Sequence, residues 1–230
     1  MTSSQKKILI FMGPPGSGKG TQTDLLAEHL KIPAISAGEL LRLEMKRKTK
    51  IGKMIAKKMD SGRLVPDKLV REVMEKRLSQ PDTRHGFILD GFPRHLAQVK
   101  DLEEIIGEFH EAEKNVLVFY IYISSAESKR RLGKRRVCYF CGRTYHLEVN
   151  SPKQKDLCDN CGYKLERRKD DEPKSVARRL RNFHRENDPL LDYFSQRNML
   201  FRIDGEQPID QVQKDILKDL ANKQQVACIR

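Results

Sequence analysis

The stretch KILIFMGPPGSGKGT, Lys7 to Thr21, constrains the fold more than any other. A short apolar run ends in glycines, and a lysine and a helical pattern follow. The glycine segment approaches G-x-x-x-x-G-K-[ST], in which backbone N–H groups curl around a phosphate chain. The N-terminus of the next helix adds favourable dipole charge. Such a loop needs a strand before it and a helix after it, so it commits the chain to an α/β sheet. Gly13, Gly18 and Lys19 fit the pattern, with Gly16 and Ser17 inside the loop. Gly20 does not fit. It stands where a hydroxyl normally sits on magnesium, and Thr21 comes one residue late. The bland alternative is a glycine-rich strand-to-helix turn with no ligand.

The rest of the chain keeps the same rhythm. Strand patterns fall at 7–12, 32–36, 87–90, 115–123 and 199–204, and each is apolar along its length. Helical patterns lie at 19–30, 67–78, 96–109, 125–136 and 172–187, the last with Val176, Leu180 and Phe183 as its apolar stripe. Alternating strands and helices of this kind predict a parallel sheet covered on both faces. Asp170 or Asp171 is expected to cap the last helix, with Pro173 in its first turn. Two stretches break the rhythm. Residues 36–66 are helical with no third strand, and 136–170 have no long period. Both read as insertions on a core of 1–35, 67–135 and 171–230, a size that 230 residues accommodate. No apolar run reaches the ~18 residues of a membrane span, and the apolar run at 8–12 is shorter than a signal-peptide core. A cytosolic protein is expected.

Lysine and arginine number 45 against 32 acidic residues, a formal charge of +13. That suits a surface that binds nucleic acid loosely, or a cleft that holds polyanions. KRRLGKRR, 129–136, alone reads as a nucleic-acid patch or localisation signal. Yet Arg131 and Arg135 are four apart and would share one helix face. Next come Cys138, Cys141, Cys158 and Cys161, spaced C-x2-C-x16-C-x2-C. Two matched knuckles with this spacing fit zinc better than a redox pair or cytosolic disulfides. Four thiolates fill a tetrahedral shell, so the zinc would be structural. His146 reads as a surface residue and Cys228 as incidental.

GPPGSGKGT resembles the loop of nucleoside monophosphate kinases, G-x-P-G-x-G-K-G-T. DGFPR (90–94) with Gln98 is similar to the signature of the adenylate kinase family, many of whose long-lid members carry four such cysteines. The resemblance spans nearly the whole chain. It implies transfer of a phosphoryl group from MgATP to AMP, by a monomer with no specific nucleic-acid or membrane partner. It places ATP on Gly13, Gly16, Ser17, Gly18, Lys19, Gly20, Thr21, Arg131, Arg135 and Gln207. It places AMP on Ser36, Arg42, Arg63, the Val65 backbone, Gly91, Arg94, Gln98, Arg168 and Arg179. Lys19, Arg94, Arg135, Arg168 and Arg179 would act on the transferring group, and Asp90 would hold Mg²⁺ through water. Residues 36–66 become the monophosphate insertion and 136–170 the zinc lid. The sequence departs in SAGEL, where many relatives have Thr-Gly-Asp in place of Ala-Gly-Glu. A kinase for another monophosphate, or a zinc-ribbon ATPase acting on nucleic acid, is the alternative.

Overall fold

The computed structural model describes residues 7–47, 49–107 and 116–228, with side chains to Lys223. In chain order the elements are β1 (Lys7–Met12), α1 (Lys19–Leu30), β2 (Ala34–Ser36), α2 (Ala37–Lys46) and α3 (Lys50–Asp60). Then come α4 (Asp67–Leu78), β3 (Gly86–Asp90), α5 (Leu96–Ile106), β4 (Val116–Tyr122) and α6 (Ser125–Lys134). The chain continues through β5 (Arg135–Cys138), β6 (Thr144–His146), β7 (Leu165–Glu166), α7 (Pro173–Gln196), β8 (Leu200–Asp204) and α8 (Ile209–Cys228).

Five strands form one parallel sheet in the order β2-β3-β1-β4-β8. Successive side chains of β1 point to opposite faces. Ile8, Ile10 and Met12 enter a core with α2 to α5 and α7, while Leu9 and Phe11 enter a second core with α1 and α8. Burial on both faces is why the strands are apolar throughout rather than alternating. The fold is α/β, as the sequence predicts.

Several boundaries moved. The helix expected to reach 136 stops at Lys134, and Arg135 and Arg136 begin β5. With β6 and β7 they form a separate antiparallel sheet in the order β6-β5-β7. The helix expected to stop at 187 runs through Pro189 to Gln196. Proline inside a helix costs about 3 kcal/mol, but Leu190, Leu191 and Phe194 beyond it are buried in the core, each contributing about 1.5–3 kcal/mol. Helix α8 has no counterpart in the sequence reading, and Cys228 ends it. The predicted ends at 108–109 and 115 lie outside the described residues. Neither Asp170 nor Asp171 caps α7. Glu172 occupies the cap position without a side-chain bond, and the two carboxylates face arginines instead. No described helix is long and apolar enough to cross a membrane.

Candidate active site

Strand β1 lies between β3 and β4, so the chain leaves it toward one edge and returns on the other side. Ligands of open α/β sheets bind at such a switch point, beyond the carboxyl ends of the strands. A cleft of about 1000 Å³ opens there.

The glycine loop forms its floor. A Cβ on Gly13 would lie 2.3 Å from the Ile121 carbonyl oxygen, so the close approach admits no side chain. Gly18 starts α1 with φ 93° and no side-chain cap. The first N–H groups of that helix therefore stay available for an anion. Ser128 of α6 is fully buried and donates to the Pro15 carbonyl, tying the loop to its neighbour. Lys19 folds back over the loop, its Nζ donating to the carbonyls of Gly13 (2.8 Å) and Pro14 (3.0 Å). Removal from water pulls its pKa down to about 8. Asp90 opposes the shift, while Arg94, Arg179 and Arg135 add to it.

Arginines from separate elements converge opposite. Arg94 is braced by Nε donating to the Gly91 carbonyl at 2.9 Å. Arg135 forks onto both oxygens of Asp171, whose side chain is fully buried. Arg179 reaches Asp171 Oδ1 at 3.1 Å and Asp170 Oδ2 at 3.0 Å. Arg168 is buried with its Nε unpartnered. Burial, followed by the fields of the other guanidiniums, lowers the pKa of Arg168. For Arg42, Arg94 and Arg179 burial again dominates, and their pKa values are also lowered. So many crowded cations, only partly offset by Asp90, Asp170 and Asp171, suit a chain of phosphates.

Most residues picked from sequence reach this cleft. Gly13, Gly16, Ser17, Gly18, Gly20, Thr21, Asp90, Arg131 and Gln207 line it, as do Ser36, Arg42, Arg63 and Gly91. Arg131 is held by Glu127 one turn earlier (2.6 Å), and Gln207 by Asp215 (3.2 Å). Val65 and Gln98 stand behind the wall as buried side chains. His146 lines the cleft too, and its Nε2 is buried without a partner. Sequence reasoning missed Asp171 and Ser128. The signal for Asp171 was an acidic pair inside the basic run RRKDDEP, which a local capping argument absorbed.

The four cysteines meet as two knuckles. Their sulfurs all lie within 4.8 Å of one another, with Cys138–Cys161 at 3.4 Å and Cys141–Cys158 at 3.5 Å. A disulfide would need about 2.05 Å, whereas Zn–S bonds of about 2.3 Å in a tetrahedron put sulfurs about 3.8 Å apart. Burial pushes the Cys158 thiol up, but the Tyr145 hydroxyl and the N–H groups of Asn160 and Cys161 outweigh it and bring it down to about 6. Cys161 has an N–H bond from Tyr163 pulling it down, yet burial and the sulfurs of Cys138, Cys141 and Cys158 raise it to about 12. Four thiols in one cage cannot all ionise without a cation between them, and the donor set fits zinc.

The cysteine unit and the α2–α3 segment touch across the cleft. Lys46 Nζ donates to the Tyr139 carbonyl at 2.7 Å. Helix α7 braces the same segment, with Ser175 and Arg178 donating to the carbonyls of Asp60 and Ser61.

A phosphate loop at the switch point of a parallel sheet, faced by arginines from two flanking units, defines a P-loop phosphotransferase. Residues 11–199 match the profile of the adenylate kinase family. The chain is 45% identical to the adenylate kinase of Methanocella arvoryzae over 207 residues, 90% of this chain and 95% of that protein. The adenylate kinases of Archaeoglobus fulgidus and Bacillus cytotoxicus are 42% and 43% identical, with the same coverage. The chain belongs to the adenylate kinase family and is a nucleotide-binding transferase.

Proposed function

We propose that the cleft transfers the γ-phosphoryl group of ATP to AMP, reversibly, giving two ADP. The observation that carries this is the convergence of Lys19, Arg94, Arg135, Arg168 and Arg179 on one cleft that the glycine loop and residues of DGFPR also line. The donor sits on the glycine loop, with Arg131 against its base and Arg135 on its phosphates. The acceptor phosphate sits on Arg42 and Arg94, with Ser36, Arg63, the Val65 backbone and Gly91 around the nucleoside and Gln98 facing its base. Residues 36–66 then act as the acceptor insertion and 136–170 as the lid.

An acceptor phosphate oxygen attacks in line and needs no strong base, so the chain contributes position and charge. Lys19 exchanges its loop carbonyls for phosphoryl oxygens. Arg168 and Arg179 close on the transferring group, Arg179 held by the acidic pair. Bound with ATP, Mg²⁺ supplies charge neutralisation at the phosphates. Asp90 supports it through water. A Cβ on Gly20 would sit 4.0 Å from Asp90 Oδ2, so Asp90 faces the position where the usual hydroxyl is missing. Zinc on Cys138, Cys141, Cys158 and Cys161 is structural, since four sulfurs leave no open position. The protein is further proposed to act as a monomer in the cytosol.

The test supplies MgATP with AMP, GMP, CMP or UMP in turn, and separately with DNA, and measures ADP. ADP formed only with AMP supports the reading. ADP formed with DNA and no monophosphate overturns it.

A further inference from the structure

Gln98 is buried, and both ends of its amide are engaged. Its Oε1 accepts from the backbone N–H of Arg94 at 2.9 Å, and its Nε2 donates to Asp67 Oδ1 at 2.7 Å. Asp67 is the first residue of α4, and the same oxygen faces His95 Nε2 at 3.0 Å. An ionised carboxylate only accepts and a backbone N–H only donates. Turning the amide over would set oxygen against carboxylate and N–H against N–H. The two partners therefore fix which end is oxygen. What remains for a base is one lone pair on Oε1 and one hydrogen on Nε2, in a set order.

We infer that Asp67 is a specificity-positioning residue, holding the Gln98 amide in the one orientation that suits a 6-amino purine and opposes a 6-oxo purine. The inference rests on the proposed reading that Gln98 faces the acceptor base. Adenine offers a donor at N6 and an acceptor at N1, which match the free lone pair and free N–H. Hypoxanthine offers the reverse, an acceptor at O6 and a donor at N1. In the same pose it meets two like groups, and buried polar groups left unpaired are what allow a site to reject an analogue strongly. The bond to Asp67 is charge-assisted and is the stronger of the two anchors. The Arg94 N–H alone is a neutral bond, so without Asp67 the amide can turn over at a penalty of about tenfold or less.

The experiment measures kcat/KM for AMP and for inosine monophosphate, with MgATP as donor, in the parent, Asp67→Ala, Asp67→Asn and Gln98→Ala. Thermal unfolding and the KM for ATP are followed alongside. Asp67→Ala is expected to narrow the AMP-to-IMP ratio by about tenfold with KM for ATP unchanged. Asp67→Asn replaces an acceptor-only carboxylate by an amide that can present either oxygen or NH2 to Gln98, so it should narrow the ratio as well. A narrowed ratio in Gln98→Ala with a parental ratio in Asp67→Ala overturns the role of Asp67 and leaves Gln98 as the reader. A parental ratio in Gln98→Ala overturns the reading of Gln98 and the inference with it. If Asp67→Ala does not fold, Asp67→Asn decides. A narrowed ratio with unchanged KM for ATP supports the inference, and a parental ratio overturns it.

Discussion

The five-stranded sheet and the cysteine unit are held together by different physics. The sheet is apolar on both faces. Ile8, Leu9, Ile10, Phe11, Phe87, Ile88 and Phe119 are almost fully buried, and helices cover either side. The cysteine unit has a cluster of four buried side chains, Cys138, Tyr145, Cys158 and Leu165, and two of those belong to the four-cysteine cage. Val137 is buried as well, but Tyr139, Phe140, Val149 and Tyr163 are exposed. Phe140 and Tyr163 stack on its surface at 4.5 Å. Burying Tyr145 and Leu165 contributes about 1.5–3 kcal/mol each, too little to order so long a segment when each residue's backbone costs about 1–2 kcal/mol. A small unit of this kind borrows stability from a metal, while the sheet needs none.

The largest effect should follow loss of the metal. Structural zinc supplies about 10–16 kcal/mol of apparent binding energy in small peptides. Cys158→Ala, or chelation, should therefore melt residues 136–170 while the sheet stays folded. Turnover should collapse because Arg135 and Arg168 lose their places, and AMP affinity should change little. Metal analysis, calorimetry and AMP titration together check this. Loss of the sheet's own unfolding transition would show that the two regions are not separable. So would a protein that carries no metal and ignores a chelator.

The converse change lies in the sheet. Phe119 is fully buried between Phe11 and Phe201, and Phe119→Ala should cost about 3–5 kcal/mol. Denaturant titration should show the main transition shifted by that amount with zinc still bound. Metal release at the same denaturant concentration in both proteins would mark the lid as independent.

Lys19→Met separates stability from chemistry. Removing one group that stabilises charge in the transition state lowers the rate by about 10²–10³. The empty protein should melt no lower, because Lys19 is held there among cations. A marked drop in melting temperature, or near-parental turnover, would count against Lys19 as the phosphate contact.

The smallest effect is a proton. The pKa of Lys19 is lowered to about 8 in the empty cleft. A lowered lysine pKa means that the folded state disfavours the charged form. That penalty is fully present below about pH 8 and is relieved as pH rises from there toward the ordinary lysine value of about 10.4. Phosphates reverse the shift, so ATP binding near pH 8 should take up about half a proton at this site, and almost none at pH 6. Calorimetry in buffers of different ionisation enthalpy measures it. Arg135, on the lid side, contributes to the lowering, so Cys158→Ala should reduce the uptake. Equal uptake in both proteins would mean that the lid does not reach the Lys19 field.

Much of this was written along the chain. The strand–loop–helix around Lys19, the C-x2-C pairs and the apolar strands are local patterns. Each depends on neighbours within one turn, one loop or one strand, and a sequence displays such neighbours directly. What the sequence left open depends on residues far apart. Asp171 reads as a helix cap until Arg135, 36 residues earlier, folds onto it, and a buried carboxylate between two guanidiniums is held better there than on one backbone N–H. The resemblance places Gln98 on AMP, but the orientation of its amide depends on Asp67, 31 residues away on another helix. The last helical pattern reads as ending at 187, yet the core that receives Leu190 and Phe194 carries α7 through Pro189 to Gln196. Local pattern determined the elements and the chemistry they carry. Tertiary contact decided which charges meet and which way an amide faces, because hydrogen bonds and ion pairs act over a few ångströms of space irrespective of separation along the chain.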